Sequence, residues 1–462
     1  MTATEGLAEA APQLGKSLRP RHVTMITIGG IIGAGLFVGS SASIATTGPA
    51  IIVSYGLAGL VILVVMRMLS EMAVAHPHIG AFTEFSREGL GDWAGFTSGW
   101  LYWFNWAIIA AIEALAGARI IHDWLPGFPV WTIGWGLLAS LTAVNLLSTR
   151  SYGEFEFWFA SVKVAAIVVF IVVGLVFVLG HDPQAQVRNL YSHGGFSPFG
   201  PAAMFSGVVS VILALCGAEI ATIAAAESPD GAKAVARMTG SVILRIMLFY
   251  IGSISLIVMI VPWNQIRSGD SPFTVALEAM NIPAAALGMK LIVLTAVLSC
   301  LNSAIYVTSR VLFTLSARGD APKALVRLNI RRVPMRAILF SSLFGYVAVY
   351  ASVVSPERVF AFLVNAAGSV MLLIYILTAL AHIRLRHRLE RTAPDRLRLR
   401  VWLFPWLSYA TVAVMIGVLC AMLLIPARRP EVMSGLVSLA GVLALYGVFR
   451  FRRDGSGSRA PG

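Results

Sequence analysis

Apolar residues in this chain gather into long runs separated by short polar stretches. The runs lie near 22–46, 48–75, 95–122, 130–147, 155–180, 200–225, 238–262, 285–315, 335–354, 357–383, 402–425 and 432–451. At 1.5 Å per residue, runs of this length cross a hydrocarbon core of about 30 Å. The pattern predicts an all-α membrane protein with twelve transmembrane helices. Two runs are broken by glycine. The first reads Ile28-Gly29-Gly30-Ile31-Ile32-Gly33-Ala34-Gly35-Leu36-Phe37, and the sixth reads Leu215-Cys216-Gly217-Ala218-Glu219-Ile220. Each opens a block of five runs. A five-helix unit has odd parity, so its second copy enters the membrane from the other side. Inverted five-helix repeats (5+5) are therefore expected at 21–180 and 200–383, followed by two more helices at 402–451.

A broken helix exposes backbone N–H and C=O groups at bilayer depth, which is tolerated only where a solute or water satisfies them. The alternative is that each glycine serves helix packing. Gly29, Gly30, Gly33, Gly35 and Gly39 fall within eleven residues, which favours an unwound site. Outside the runs, residues 1–20 read as a disordered cytoplasmic arm and 181–199 as an extracellular loop. Residues 384–401 read as a cytoplasmic loop and 452–462 as a cytoplasmic tail, disordered over Asp454–Ser458. The stretch from Ser271 to Met280 is amphipathic and is expected to lie over the outer mouth.

Composition sharpens the class. The 462 residues are 58% hydrophobic and 12% charged, with mean hydropathy +0.81. Soluble chains carry about 25% charged residues. A net charge of +13 would suggest nucleic acid in a soluble chain, but its distribution says otherwise. Of 35 Lys and Arg, 24 fall on one side of the predicted spans and five on the other. The positive-inside rule then puts both termini of a multi-pass plasma-membrane protein in the cytoplasm. The clusters Arg318–Arg336 and Arg384–Arg400 read as anchors beside anionic headgroups. The first run is too long for a cleaved signal and should stay as a helix. Cys216, Cys300 and Cys420 all sit in apolar runs, so no disulfide is expected. No P-loop, HExxH, cysteine cluster or serine elbow is visible, so neither an enzyme nor a cofactor or metal is expected.

Ionisable groups inside a membrane are costly, by about 2.5–3.5 kcal/mol each on insertion scales. Lys163 lies about 12 Å along the fifth run, at 1.5 Å per residue. It either snorkels to the interface or titrates near the midplane. Glu113 is either a structural carboxylate or a cavity group that relays protons or holds an ammonium. Glu219 either braces the sixth break or serves the site. Glu71, Glu154 and Glu227 fall at cytoplasmic helix ends, as gate or loop residues. Ser299, Ser303 and Tyr306, at i, i+4 and i+7, share one face of the eighth run, which also carries Asn302 and Ser309. They read either as helix–helix hydrogen bonding or as a polar wall beside Lys163.

These stretches resemble a known family. LRPRHVTMITIGGIIGAGLFVGSS, RMLSEMAV, GWLYWFNW, SYGEFEFWFASVKV, GAEIATIAAAES, SCLNSAIYVTSR with RGDAP, and FLVNAAGSV are similar to the bacterial amino acid transporter family of the amino acid–polyamine–organocation superfamily. The likeness covers about residues 16–450. GAEIATIAAAES, SCLNSAIY and SYGEFEFW look most like the GABA permease branch. The resemblance implies alternating access. It implies a substrate carboxylate at the N–H groups around Ile32, Gly33, Ala34, Gly35 and Leu36. It implies a substrate ammonium near the carbonyls of Leu213, Leu215 and Cys216, beside Gly217 and Ala218. Lys163 matches the family lysine that stands where sodium-coupled relatives hold an ion, which implies proton coupling, with Glu113, Ser299, Asn302 and Ser303 around it. One departure stands out. The aromatic lid usual before the sixth-span glycine is replaced by Leu213-Ala214-Leu215-Cys216, which favours a slim aliphatic substrate.

The function expected is secondary active import of a small amino acid, γ-aminobutyrate first, by proton symport. Another amino acid such as proline or asparagine, exchange without net proton movement, and an amino-acid-binding membrane sensor are the alternatives. The inner loops, about twenty residues at most, leave no room for a sensor's output domain.

Overall fold

The computed structural model describes residues 18–29, 32–33, 35–77, 79, 82–217, 219–220, 222–223, 240, 245–354 and 356–457. These are helical almost throughout. The helices are α1 (Pro20–Gly29), α2 (Ser40–Thr47), α3 (Ile51–Ala75), α4 (Phe82–Leu90), α5 (Asp92–Trp124), α6 (Val130–Leu147), α7 (Thr149–Gly180) and α8 (Pro183–Arg188). They continue as α9 (Pro201–Leu215), α10 (Ser253–Ile260), α11 (Pro272–Ala279), α12 (Pro283–Ala317), α13 (Met335–Val354), α14 (Pro356–Thr392), α15 (Trp406–Leu424) and α16 (Arg429–Gly457). Among the described residues, nine helical stretches are long and apolar enough to cross a membrane, Gly35–Ala75 counting as one. Two shorter apolar ones, Pro201–Ile212 and Met247–Ile260, lie where the sixth and seventh runs were read.

The helix ends follow their local chemistry. The Ser148 side chain accepts from Ser151 N and caps α7. Gly91, at φ 101°, makes the left-handed corner that lets α4 turn into α5. Two ends run past their predicted limits. α14 continues to Thr392 because its basic last turns are held by ion pairs, Arg386 to Glu390 at 2.9 Å and Arg388 to Glu88 at 3.1 Å. So the first half of the expected loop 384–401 is helix. α16 continues to Gly457, so the polar tail is helical through its first residues.

α3, α5, α12 and α14 supply most of the buried interior, while α6, α7, α13, α15 and α16 turn much of their surface outward. α5 and α12 run against one another through the centre. Around them α1 packs on α7, and α3 on α9. Small residues make the close approaches: a Cβ on Gly99 would meet Leu315, and one on Gly117 would meet Val297. α11 is the amphipathic stretch expected over the mouth. Its Phe273 is buried against Phe37 and Phe170 at ring separations of 5.0 and 4.7 Å.

Candidate functional site

The first broken span stops at Gly29 and resumes at Gly35, where a π-helical turn to Gly39 leads into α2. In the sixth, α9 stops at Leu215, and Cys216 and Gly217 form a turn with Gly217 at φ 116°. That dihedral strains any L side chain, so glycine is required there. The two breaks meet. A Cβ on Gly35 would lie 3.0 Å from Ala214 Cα, and one on Gly33 would lie 2.9 Å from Cys300 Sγ and 3.0 Å from Glu113 Oε1. Backbone cannot give way as a side-chain tip can. Gly35→Ala should therefore lower the maximal uptake rate about tenfold, equivalent to about 1.4 kcal/mol. Gly56→Ala, where nothing lies within 4 Å, is the control and should be silent in the same assay.

Beside the breaks lies a cavity of about 490 Å³, lined by Gly33, Gly35, Trp106, Glu113, Cys216 and Cys300 among others. Pockets for small molecules run about 300–1,000 Å³. The cavity extends toward Ser268 and Gly269, and Gly269 N donates to Ser41 Oγ at 3.0 Å. That end of the bundle carries the loop 181–200, where Trp263 Nε1 donates to the His193 carbonyl at 3.0 Å. The opposite end is bolted. Glu71 on α3 binds Arg386 Nη1 at 2.7 Å and Val401 N at 2.5 Å, with His382 Nε2 3.2 Å away. Nearby, Arg87 on α4 pairs with Asp92 at 2.8 Å, with Glu84 at 3.4 Å and with Asp320, whose loop also places Arg318 3.0 Å from Glu84. Burial lifts the Asp320 carboxyl above the ordinary aspartate range, against the pull of Arg87.

Lys163 does not snorkel. Its side chain is fully buried, and Nζ donates to the Ile32 carbonyl at 2.8 Å and to Ser299 Oγ at 2.7 Å. Ser299 donates in turn to Glu156, with Oε1 at 2.7 Å and Oε2 at 2.9 Å, and Lys163 Nζ stands 3.7 Å from Glu156 Oε1. A cation, a hydroxyl and a carboxylate thus form one buried unit attached to the first helix break. Glu156 was not among the residues expected there. It precedes Lys163 by seven residues on α7, two turns along the same face, and that spacing is the signal that would have found it.

The remaining predicted residues divide. Glu113 faces the cavity. Asn302 accepts from Asn145 Nδ2 at 2.9 Å and ties α12 to α6. Ser303 meets Tyr152 Oη at 3.2 Å, and Tyr306 stacks on Tyr152 with centroids 4.0 Å apart while the Arg310 guanidinium lies 4.2 Å from its ring centre. Of the proposed polar wall, only Ser299 reaches Lys163 by a described hydrogen bond. Glu219, fully buried, accepts from Tyr102 Oη at 3.1 Å, Tyr375 Oη at 3.0 Å and Gly217 N at 3.2 Å. It clamps the sixth break between α5 and α14. Leu215, Cys216 and Leu36 are buried at the two breaks. Ala34, Ala218 and Glu227, and the Leu213 side chain, lie outside the described residues. A second unexpected contribution comes from Arg428 and Glu431, which also line the cavity.

The pattern of the amino acid permease family matches residues 22–450. The chain is 45% identical over 443 residues to a gamma-aminobutyric acid permease of Bacillus subtilis, covering 95% of this chain and 94% of that one. It is 42% identical to a gamma-aminobutyric acid permease of Escherichia coli, covering 97% of each. Among solved structures, a manganese transporter of Eremococcus coleocola matches in fold, with TM-score 0.60 at 12% identity over 93% of each chain.

Proposed function

The chain belongs to the amino acid permease family, and we propose that it imports γ-aminobutyrate, coupled to protons, by alternating access. The observation that carries the coupling is the Lys163–Ser299–Glu156 unit bonded to the Ile32 carbonyl. The unit holds either no net charge, as ion pair or neutral pair, or one extra proton as ammonium plus carboxylic acid. Loading that proton changes what Lys163 does at Ile32, where the first span is unwound.

In this reading the substrate carboxylate sits at the N–H groups around Gly33 to Leu36, where the resumed helix presents its positive end. The ammonium sits at the carbonyl end of α9, near Leu213 to Cys216. Trp106 supplies an aromatic wall from α5 where the sixth span offers none. That leaves a seat bounded by small residues, suited to an unbranched amino acid. Both termini face the cytoplasm, so the cavity opens outward and the two ion-pair bolts close the inner end.

The test is γ-aminobutyrate uptake into empty, sodium-free proteoliposomes under an inward proton gradient. Accumulation should appear and collapse with a protonophore. Uptake that needs internal γ-aminobutyrate would reassign the protein as an exchanger. No flux in either mode would move the substrate to another small amino acid.

A further inference from the structure

The cavity has an end that the two five-helix blocks do not build. The turn between α15 and α16 brings Arg428, and the first turn of α16 brings Glu431, to its wall, paired at 2.9 Å, with side chains 19% and 15% exposed. Arg428 Nη1 also donates to Ser210 Oγ at 3.1 Å, and the Glu431 carbonyl accepts from Ser369 Oγ at 2.6 Å. The pair therefore bridges α9 and α14, one the upper half of the sixth broken span and the other a wall of the cavity. Glu113, Arg428 and Glu431 are the charged residues among the described lining, so Arg428 is its one cation. Ser210 precedes the end of α9 by five residues, about 7.5 Å along the helix at 1.5 Å per residue. The pair thus stands above the break by about the length of a small amino acid.

From this placement we infer that Arg428 and Glu431 form a vestibule site for the zwitterionic substrate, occupied before the glycine breaks; the inference rests on the amino acid reading above. A zwitterion can exchange one ion pair for two. Its carboxylate takes the guanidinium from Ser210 and Glu431, and its ammonium takes the Glu431 carboxylate. No charge is left unpaired at any stage, which keeps the exchange cheap in a partly desolvated mouth. A solute with only one of the two charges leaves one member of the pair without a partner, so the site selects amino acids over simple acids or amines.

The test uses the full chain in proteoliposomes and radiolabelled γ-aminobutyrate. Arg428→Gln should raise the half-saturation concentration about tenfold while leaving the maximal rate within about a factor of two. Arg428→Lys, which keeps the charge, should recover most of the affinity. Unchanged half-saturation in Arg428→Gln overturns the site. So does an equal loss of maximal rate in both variants at unchanged half-saturation, which would mark the pair as a brace. Should Arg428→Gln not reach the membrane, the double variant with Glu431→Gln leaves no lone charge and carries the same expected rise. Unmodified protein that takes up no amino acid overturns the permease substrate and the vestibule site together. Normal uptake with unchanged variants removes the vestibule site alone.

Discussion

Proteoliposomes carrying Lys163→Ala should show no pH-driven accumulation above empty vesicles. Lys163 Nζ is the only described group bonded both to the Ile32 carbonyl and to the Ser299–Glu156 relay, so its loss removes the link between proton and helix break at once. The single variant also strands Glu156, fully buried, without its cation. Breaking a buried pair from one side costs about 3–5 kcal/mol, so this variant will be less stable as well as inactive. Lys163→Met with Glu156→Gln removes both charges and separates the two effects. That double variant should fold, exchange γ-aminobutyrate down its gradient, and ignore an imposed proton gradient. Retained pH-driven accumulation in either variant would remove Lys163 from the coupling mechanism.

Glu219→Ala should strongly destabilise the protein. Four donors converge on this side chain: Tyr102 Oη on α5, Tyr375 Oη on α14, and the Cys216 thiol and Gly217 N–H in the break itself. Each buried donor left without an acceptor costs about 1–3 kcal/mol. The sum, about 3 kcal/mol or more, should lower the midpoint of thermal unfolding in detergent by on the order of 5–10 °C. Glu219→Gln keeps one oxygen as acceptor and should fall between. If alanine leaves the midpoint unchanged while uptake fails, Glu219 acts on the substrate and is not a brace.

Much of the fold was legible because a membrane imposes one rule. Every backbone group must be satisfied inside its own helix, so span length and apolarity are written directly in the chain. The breaks were legible for the converse reason: Gly33, Gly35 and Gly217 stand where helix continuation would be expected. Lys163 stood out as a charge in an apolar run. Glu156 did not, because it sits near a helix start where carboxylates are common, and only its spacing from Lys163 marks it. Asn302 was expected near Lys163 and Tyr306 either there or as a structural residue, yet sidedness alone cannot tell which partner a helix face meets. The structure gives Asn302 to Asn145 and Tyr306 to Tyr152. Arg428 and Glu431 were hidden for a third reason. They belong to the corner where α15 passes into α16, and nothing local shows that this corner folds back over the cavity.

The bond from Lys163 to the Ile32 carbonyl has a thermodynamic consequence. That carbonyl belongs to the same unwound segment whose N–H groups receive the substrate in the proposed mechanism. Protonation and substrate binding therefore act on one short piece of backbone. By linkage, whatever factor the proton lends to substrate affinity, bound substrate must lend to proton affinity. Reciprocity holds whichever arrives first.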